Sequence, residues 1–137
     1  MTLCDTGPLV AMLIEADMNH TRCLELLPTL RGPLVTTWAC IAEAMHLLHR
    51  YGGHSAQDEL WSYLNDGLLR VHIHTDAEKL RMRSLMRQFA DTPMDLADAS
   101  LVAAAETLQT RRIFTLDSDF YVYRRADGNT FEVVPAR

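Results

Sequence analysis

Cysteine is scarce in this chain: 137 residues hold three, Cys4, Cys23 and Cys40. No two stand in Cys-x-x-Cys spacing and the number is odd. A zinc ribbon or a disulfide framework is therefore excluded, and a reducing cytoplasm is the expected setting. Lysine is scarcer still: among 13 basic residues only Lys79 is one, and the rest are arginines, whose planar forks suit bidentate phosphate contacts. No apolar run is long enough to span a bilayer, so no membrane association is expected. The opening residues lack the basic segment followed by an apolar stretch that marks a signal peptide. Glycine and proline number only 6 and 5, and there is no low-complexity tract, linker or internal repeat. One domain, residues 1–137, is the expectation.

What is present is apolar and acidic. Hydrophobic residues make up 48% of the chain, which argues against disorder. The net charge is −5, which by itself speaks against a nucleic-acid partner unless several acids are gathered into one site and neutralised by a bound cation.

Short apolar runs alternate with longer helical stretches. Residues 2–4 read as a strand and residues 6–15 as a helix with Pro8 in its first turn. Residues 19–30 read as a second helix and 34–36 as a second strand. Thr37 caps a third helix that Gly52-Gly53 stops after Tyr51. Ser55 caps a fourth helix to Asn65, and 68–73 form a strand. Thr75-Asp76-Ala77-Glu78 has capping-box form and opens a fifth helix to Phe89. Thr92-Pro93-Met94-Asp95 opens a sixth to Gln109, and 113–116 and 131–134 are the last strands. Strands joined through helices imply an α/β fold: a parallel central sheet with helices on both faces.

Four carboxylates stand out in this frame. Asp5 and Asp117 each follow a strand directly, and sites in open α/β sheets form beyond the carboxyl ends of strands; turn and cap roles are the alternative. Asp98 shares its helix face with Met94, Leu101, Val102 and Ala105, an apolar stripe on which a carboxylate needs a partner or a metal. Asp95 has a capping role instead. Glu43 lies between Cys40 and Leu47 on a mostly apolar helix, where a solvated position is equally compatible. Four convergent carboxylates suit Mg²⁺ or Mn²⁺, which prefer hard oxygen ligands and assist water attack on phosphate. Like charges so gathered repel, so at least one carboxyl is expected to have a raised pKa in the metal-free protein.

Leu3-Cys4-Asp5-Thr6-Gly7-Pro8-Leu9, Thr36 to Ala44 around Glu43, Met94 to Ala103 around Asp98, and Ile113 to Phe120 around Asp117 resemble, in order, the four acidic segments of the PIN-domain family, in particular the VapC-like toxin nucleases of toxin–antitoxin pairs. The resemblance runs from Leu3 to Phe120. It implies a PIN-like domain and a Mg²⁺- or Mn²⁺-dependent endoribonuclease with Asp5, Glu43, Asp98 and Asp117 in its site. It also implies an RNA substrate, an antitoxin protein partner and a homodimer. Asp119 offers an alternative acid in the fourth segment, and Thr6 and Thr115 are expected to support the site through their hydroxyls. Arg111, Arg112, Arg124 and Arg125 are candidate phosphate contacts.

Other signals point elsewhere. Asp117-Ser118-Asp119 has the Asp-x-Asp form of aspartate-nucleophile phosphatases but lies late in the chain and lacks the following Gly-Thr. A non-catalytic PIN-like binding module is the non-enzyme reading. Glu43-Ala44-Met45-His46 matches half of a di-iron motif whose second half is missing. His72-Ile73-His74 puts two imidazoles on one strand face, read as solvated for want of a third zinc ligand. His46 and His49 are read as surface positions.

Overall fold

The computed structural model describes residues 1–136. Five strands, β1 (Thr2–Cys4), β2 (Leu34–Thr37), β3 (Leu69–His72), β4 (Arg112–Phe114) and β5 (Glu132–Val134), form one sheet in the order β3-β2-β1-β4-β5. Every neighbouring pair is parallel. The helices are α1 (Thr6–Leu13), α2 (His20–Leu26), α3 (Trp38–Asn65), α4 (Asp76–Gln88) and α5 (Leu96–Leu108). None is long and apolar enough to cross a membrane.

Successive strand residues face opposite sides, and two cores result. Leu3, Val35 and Ile113 pack with α5 residues such as Leu101, Val102 and Ala105, and with Leu85 of α4. Their neighbours Cys4, Leu34 and Phe114 pack with Leu9 and Val10 of α1, Cys23 of α2, and Ile41, Ala44 and Leu48 of α3. Helices thus cover both faces, which is why these strands are apolar at consecutive positions.

The strand order places the site. From β1 the chain moves outward through β2 to β3, then returns past β1 to β4 and β5. The direction reverses between β1 and β4, and crevices open at the carboxyl ends of strands at such reversal points. The Asp5 backbone N–H donates to Phe114 O at 2.9 Å, so the ends of β1 and β4 lie side by side.

Several local expectations need correction. The helix expected over 19–30 ends at Leu26 and passes into a 3₁₀ turn, Leu27–Thr29, that accommodates Pro28. The third and fourth helices are one broken element, α3, and the break is confined to Gly53 (φ 69°, ψ −164°). That conformation is essentially restricted to glycine. Gly52 stays helical, and glycine is needed there for space: a Cβ would lie 2.7 Å from the Ala56 side chain and 2.8 Å from that of Ile14. The sixth expected helix starts later than Thr92, since Asp95 is its cap. The His72–His74 face is half-buried rather than solvated: His72 Nε2 lies 2.7 Å from Glu78 Oε2 and His74 Nε2 lies 2.9 Å from Ser100 O. Thr37 and the Thr75–Glu78 capping box act as expected.

Candidate active site

Asp5 leaves β1 and caps α1. Its Oδ1 accepts from the Thr6 backbone N–H at 2.7 Å, and its Oδ2 accepts from the Thr115 hydroxyl at 2.7 Å. The residue is only 8% exposed. Burial pushes its pKa up from 3.8 to about 6; the hydrogen bonds from Thr115 and Thr6 act against this, while the charges of Asp117 and Glu43 add to it.

Thr115 serves two acids. Besides donating to Asp5, its Oγ1 accepts from the Asp117 backbone N–H at 3.0 Å. Asp117 in turn caps the 3₁₀ turn Ser118–Tyr121, its Oδ1 accepting from Asp119 N–H at 2.9 Å. Thr6 stands between Cys40 O, 3.3 Å from its Oγ1, and Glu43 Oε2, at 3.4 Å. Glu43 has one helical turn of α3 between it and the Thr37 cap, and is exposed towards the crevice. Partial burial, and then the charge of Asp95, raise its pKa.

Asp98 differs from its expected isolation on an apolar stripe. It is the third residue of α5 and completes a capping box: Asp95 Oδ1 accepts from Asp98 N–H at 2.8 Å, and Asp98 Oδ2 accepts from Asp95 N–H at 3.2 Å. The usual form of this motif pairs Ser or Thr with Glu or Gln; here two aspartates perform it. The Tyr123 hydroxyl also donates to Asp98 Oδ2, at 3.3 Å. Oδ1 takes part in none of the described hydrogen bonds. Burial and the charges of Asp95 and Asp5 raise the Asp98 pKa. Tyr123 is fully buried, held edge-to-face against Phe120 at 5.1 Å and Phe89 at 5.2 Å. Nothing local in the sequence marks it, since it meets Asp98 only through packing.

Asp5, Glu43, Asp95, Asp98 and Asp117 line one crevice of about 270 Å³ together with Thr6. Asp95, read from sequence as a cap alone, is both cap and lining. Asp119, in the turn that Asp117 caps, is not among the lining residues. Two cavities adjoin. An apolar one of about 460 Å³ shares Gly7, Leu47 and Leu116 with the crevice, and a smaller one of about 160 Å³ shares Leu116 and Asp117 and contains Arg22 and Tyr121.

The lining offers carboxylate and hydroxyl oxygens, and no Lys, Arg or His is among the described residues that line it. Such a donor set fits a hard divalent cation such as Mg²⁺ or Mn²⁺. The arginines named from sequence are mostly engaged elsewhere. Arg124 donates to the carbonyls of Tyr121, Val122 and Tyr123, Arg125 bonds Asp127, and Arg112 bonds Glu132. Arg22, which nothing local singles out, lines the adjoining cavity together with Asp117 and donates from Nη2 to Ala136 O at 3.0 Å.

No protein-family model matches the chain. A curated relative, ribonuclease VapC26 of Mycobacterium tuberculosis, is 27% identical over 134 residues, covering 97% of this chain and 99% of that protein. Among solved structures, the chain is similar to VapC20 of the same organism, described as a sarcin-ricin loop cleaving toxin. The TM-score is 0.83 at 18% identity, over 89% of this chain and 94% of that one. It is also similar to a chain of a toxin–antitoxin complex from Klebsiella pneumoniae, with a TM-score of 0.65 at 16% identity, over 88% and 90% of the two chains.

Proposed function

We propose that this is a VapC-like protein whose residues 1–137 make up one PIN-type domain, and that it is a metal-dependent endoribonuclease and the toxin of a toxin–antitoxin pair. The observation that carries the reading is the convergence of five carboxylates at the β1–β4 reversal point, with no protein cation among the lining residues to neutralise them.

Asp5, Asp98, Glu43 and Asp117 would hold Mg²⁺ or Mn²⁺, with Asp95 at the edge. The ion supplies Lewis acidity and stabilises charge on the phosphate. The chain's own groups do the rest. Thr115 fixes the Asp5 carboxylate and the start of the Asp117 turn together, so the two acids keep their spacing. Thr6 orients Glu43. Glu43, exposed and with a raised pKa, is the group suited to take a proton from water as its oxygen attacks phosphorus and one P–O ester bond breaks. Arg22 and Tyr121 in the adjoining cavity provide a phosphate contact and a ring beside the chain of an RNA.

An antitoxin protein and a second copy of the chain are the partners in this reading. The half-exposed Trp38 and Trp61, whose rings lie 6.4 Å apart, and the exposed Leu96 offer apolar surface for such contacts. Three buried, unpaired cysteines suit the cytoplasm. A phosphatase based on Asp117 and Asp119 is disfavoured, because the two acids do not share the crevice.

The test is incubation of the purified protein with single-stranded and structured RNA in Mg²⁺ or Mn²⁺, and again in EDTA. Cleavage at discrete internal positions that stops in EDTA is the expected result. Cleavage unchanged by EDTA overturns the reading.

A further inference from the structure

We infer that His72, His74 and Glu78 form a second metal site, separate from the acidic crevice and selective for a zinc-class divalent ion. One ligand atom from each lies within 4.8 Å of the others. None of the three lines the crevice.

The donors are held in place by the fold. His72 ends β3, and His74 stands on the same face two residues on; their rings meet edge-on at 5.0 Å. Glu78 is the third residue of α4. Its Oε1 accepts from Thr75 N–H at 3.0 Å in the capping box, which turns Oε2 to His72 Nε2 at 2.7 Å. His74 Nε2 lies 2.9 Å from Ser100 O. A carbonyl only accepts, so the proton of neutral His74 is on Nε2 and the lone pair on Nδ1. An imidazole that donates its outer N–H to a backbone carbonyl is arranged as metal-bound histidines generally are.

Two imidazoles and one carboxylate are a zinc ligand set that leaves the fourth position to water. Imidazole nitrogen favours zinc, cobalt, nickel and copper over Mg²⁺, so this cluster and the all-oxygen crevice select different ions. With metal–donor lengths of about 2.0–2.2 Å, tetrahedral geometry sets donors about 3.3–3.6 Å apart. The His72–Glu78 contact must therefore open from 2.7 Å, and the widest spacing must close from within 4.8 Å. The side chains of His72 and Glu78 are 13% and 9% exposed, so an ion has a route in while little water competes. A bound ion would tie β3 to α4 and, through His74 and Ser100, to α5. Ser100 Oγ also lies 2.6 Å from the hydroxyl of Thr37, the cap of the helix that carries Glu43.

The experiment uses the full chain stripped with EDTA, in two forms that silence the crevice: wild type in excess Mg²⁺, and the Asp5→Asn, Asp98→Asn double variant. Zn²⁺ is titrated by calorimetry and Co²⁺ by its visible absorption. The expected result in both forms is one saturable equivalent with the intense cobalt bands of a four-coordinate site. His72→Gln and His74→Gln should each weaken binding at least about tenfold, while melting in EDTA within a few degrees of the parent. If the double variant fails to fold, the Mg²⁺-loaded wild type decides. Absence of saturable binding, or an affinity that His74→Gln leaves unchanged, overturns the inference and leaves His72–Glu78 a plain ion pair. RNA cleavage plays no part in the readout, so this result is independent of the nuclease reading.

Discussion

Replacing Asp5 with asparagine should stabilise the metal-free protein at neutral pH. Asp5 is nearly fully buried, and its folded pKa lies at about 6 against 3.8 for the free side chain. Between those values the folded state holds a proton that the unfolded chain has released. Stability from this group is therefore complete below about pH 3.8, declines as pH rises, and is lost above about pH 6. The difference corresponds to about 3 kcal/mol against the ionised folded form. Asn keeps an oxygen to accept from Thr6 N–H, and Thr115 can turn to accept from the new amide. Allowing about 1 kcal/mol for poorer hydrogen bonding leaves a net gain of about 2 kcal/mol, or about 6 °C in Tm for a chain of this size. The assay is thermal unfolding by circular dichroism in EDTA, from about pH 4 to about pH 8. The gain should appear near neutrality and shrink towards pH 4. Added Mn²⁺ should reverse the order, because wild type gains by mass action what the variant has lost. A variant that melts below wild type at neutral pH, or an advantage that does not diminish in acid, would refute the electrostatic account of the crevice.

Three further outcomes are expected. Asp98→Asn should lower RNA cleavage at least about a hundredfold, while Asp95→Asn, which caps a helix as well as Asp does, should stay within about tenfold; gel assays showing the reverse order would remove Asp98 from the site. Thr115→Val leaves Asp5 Oδ2 and Asp117 N–H without their shared partner. It should cost about 1–3 kcal/mol, lower cleavage about 10–100-fold and move the acid limb of the pH–rate profile upward; an unchanged profile would separate Thr115 from catalysis. Gly53→Ala meets no atom within 4 Å, so its cost is the backbone conformation alone. Denaturant unfolding should show a loss of about 1–3 kcal/mol, and a neutral result would mean that the α3 break is not held in that conformation.

The layout of strands and helices, the capping residues and the four acids were legible in the sequence because each depends on spacing within a few residues. Period-two and period-3.6 apolar patterns set the elements. Thr37 and Thr75–Glu78 cap their helices by bonds that span three residues. Asp5 and Asp117 could be placed at strand ends by their neighbours alone. Their meeting was a matter of sheet order, since β1 and β4 are adjacent only because the chain reverses direction between them. The same holds for Thr115 bridging Asp5 across 110 positions and Tyr123 reaching Asp98 across 25. Asp95 became a lining residue because the capped start of α5 lies at the crevice, Arg124 was taken up by carbonyls of its own turn, and Glu78 supplied the third ligand that the His72–His74 pair lacked in sequence. Local backbone preference acts over one or two turns and can be read in order along the chain. Which buried polar groups satisfy one another is decided only when distant segments pack, because the cost of leaving each unpaired is incurred in the folded interior and nowhere along the extended chain.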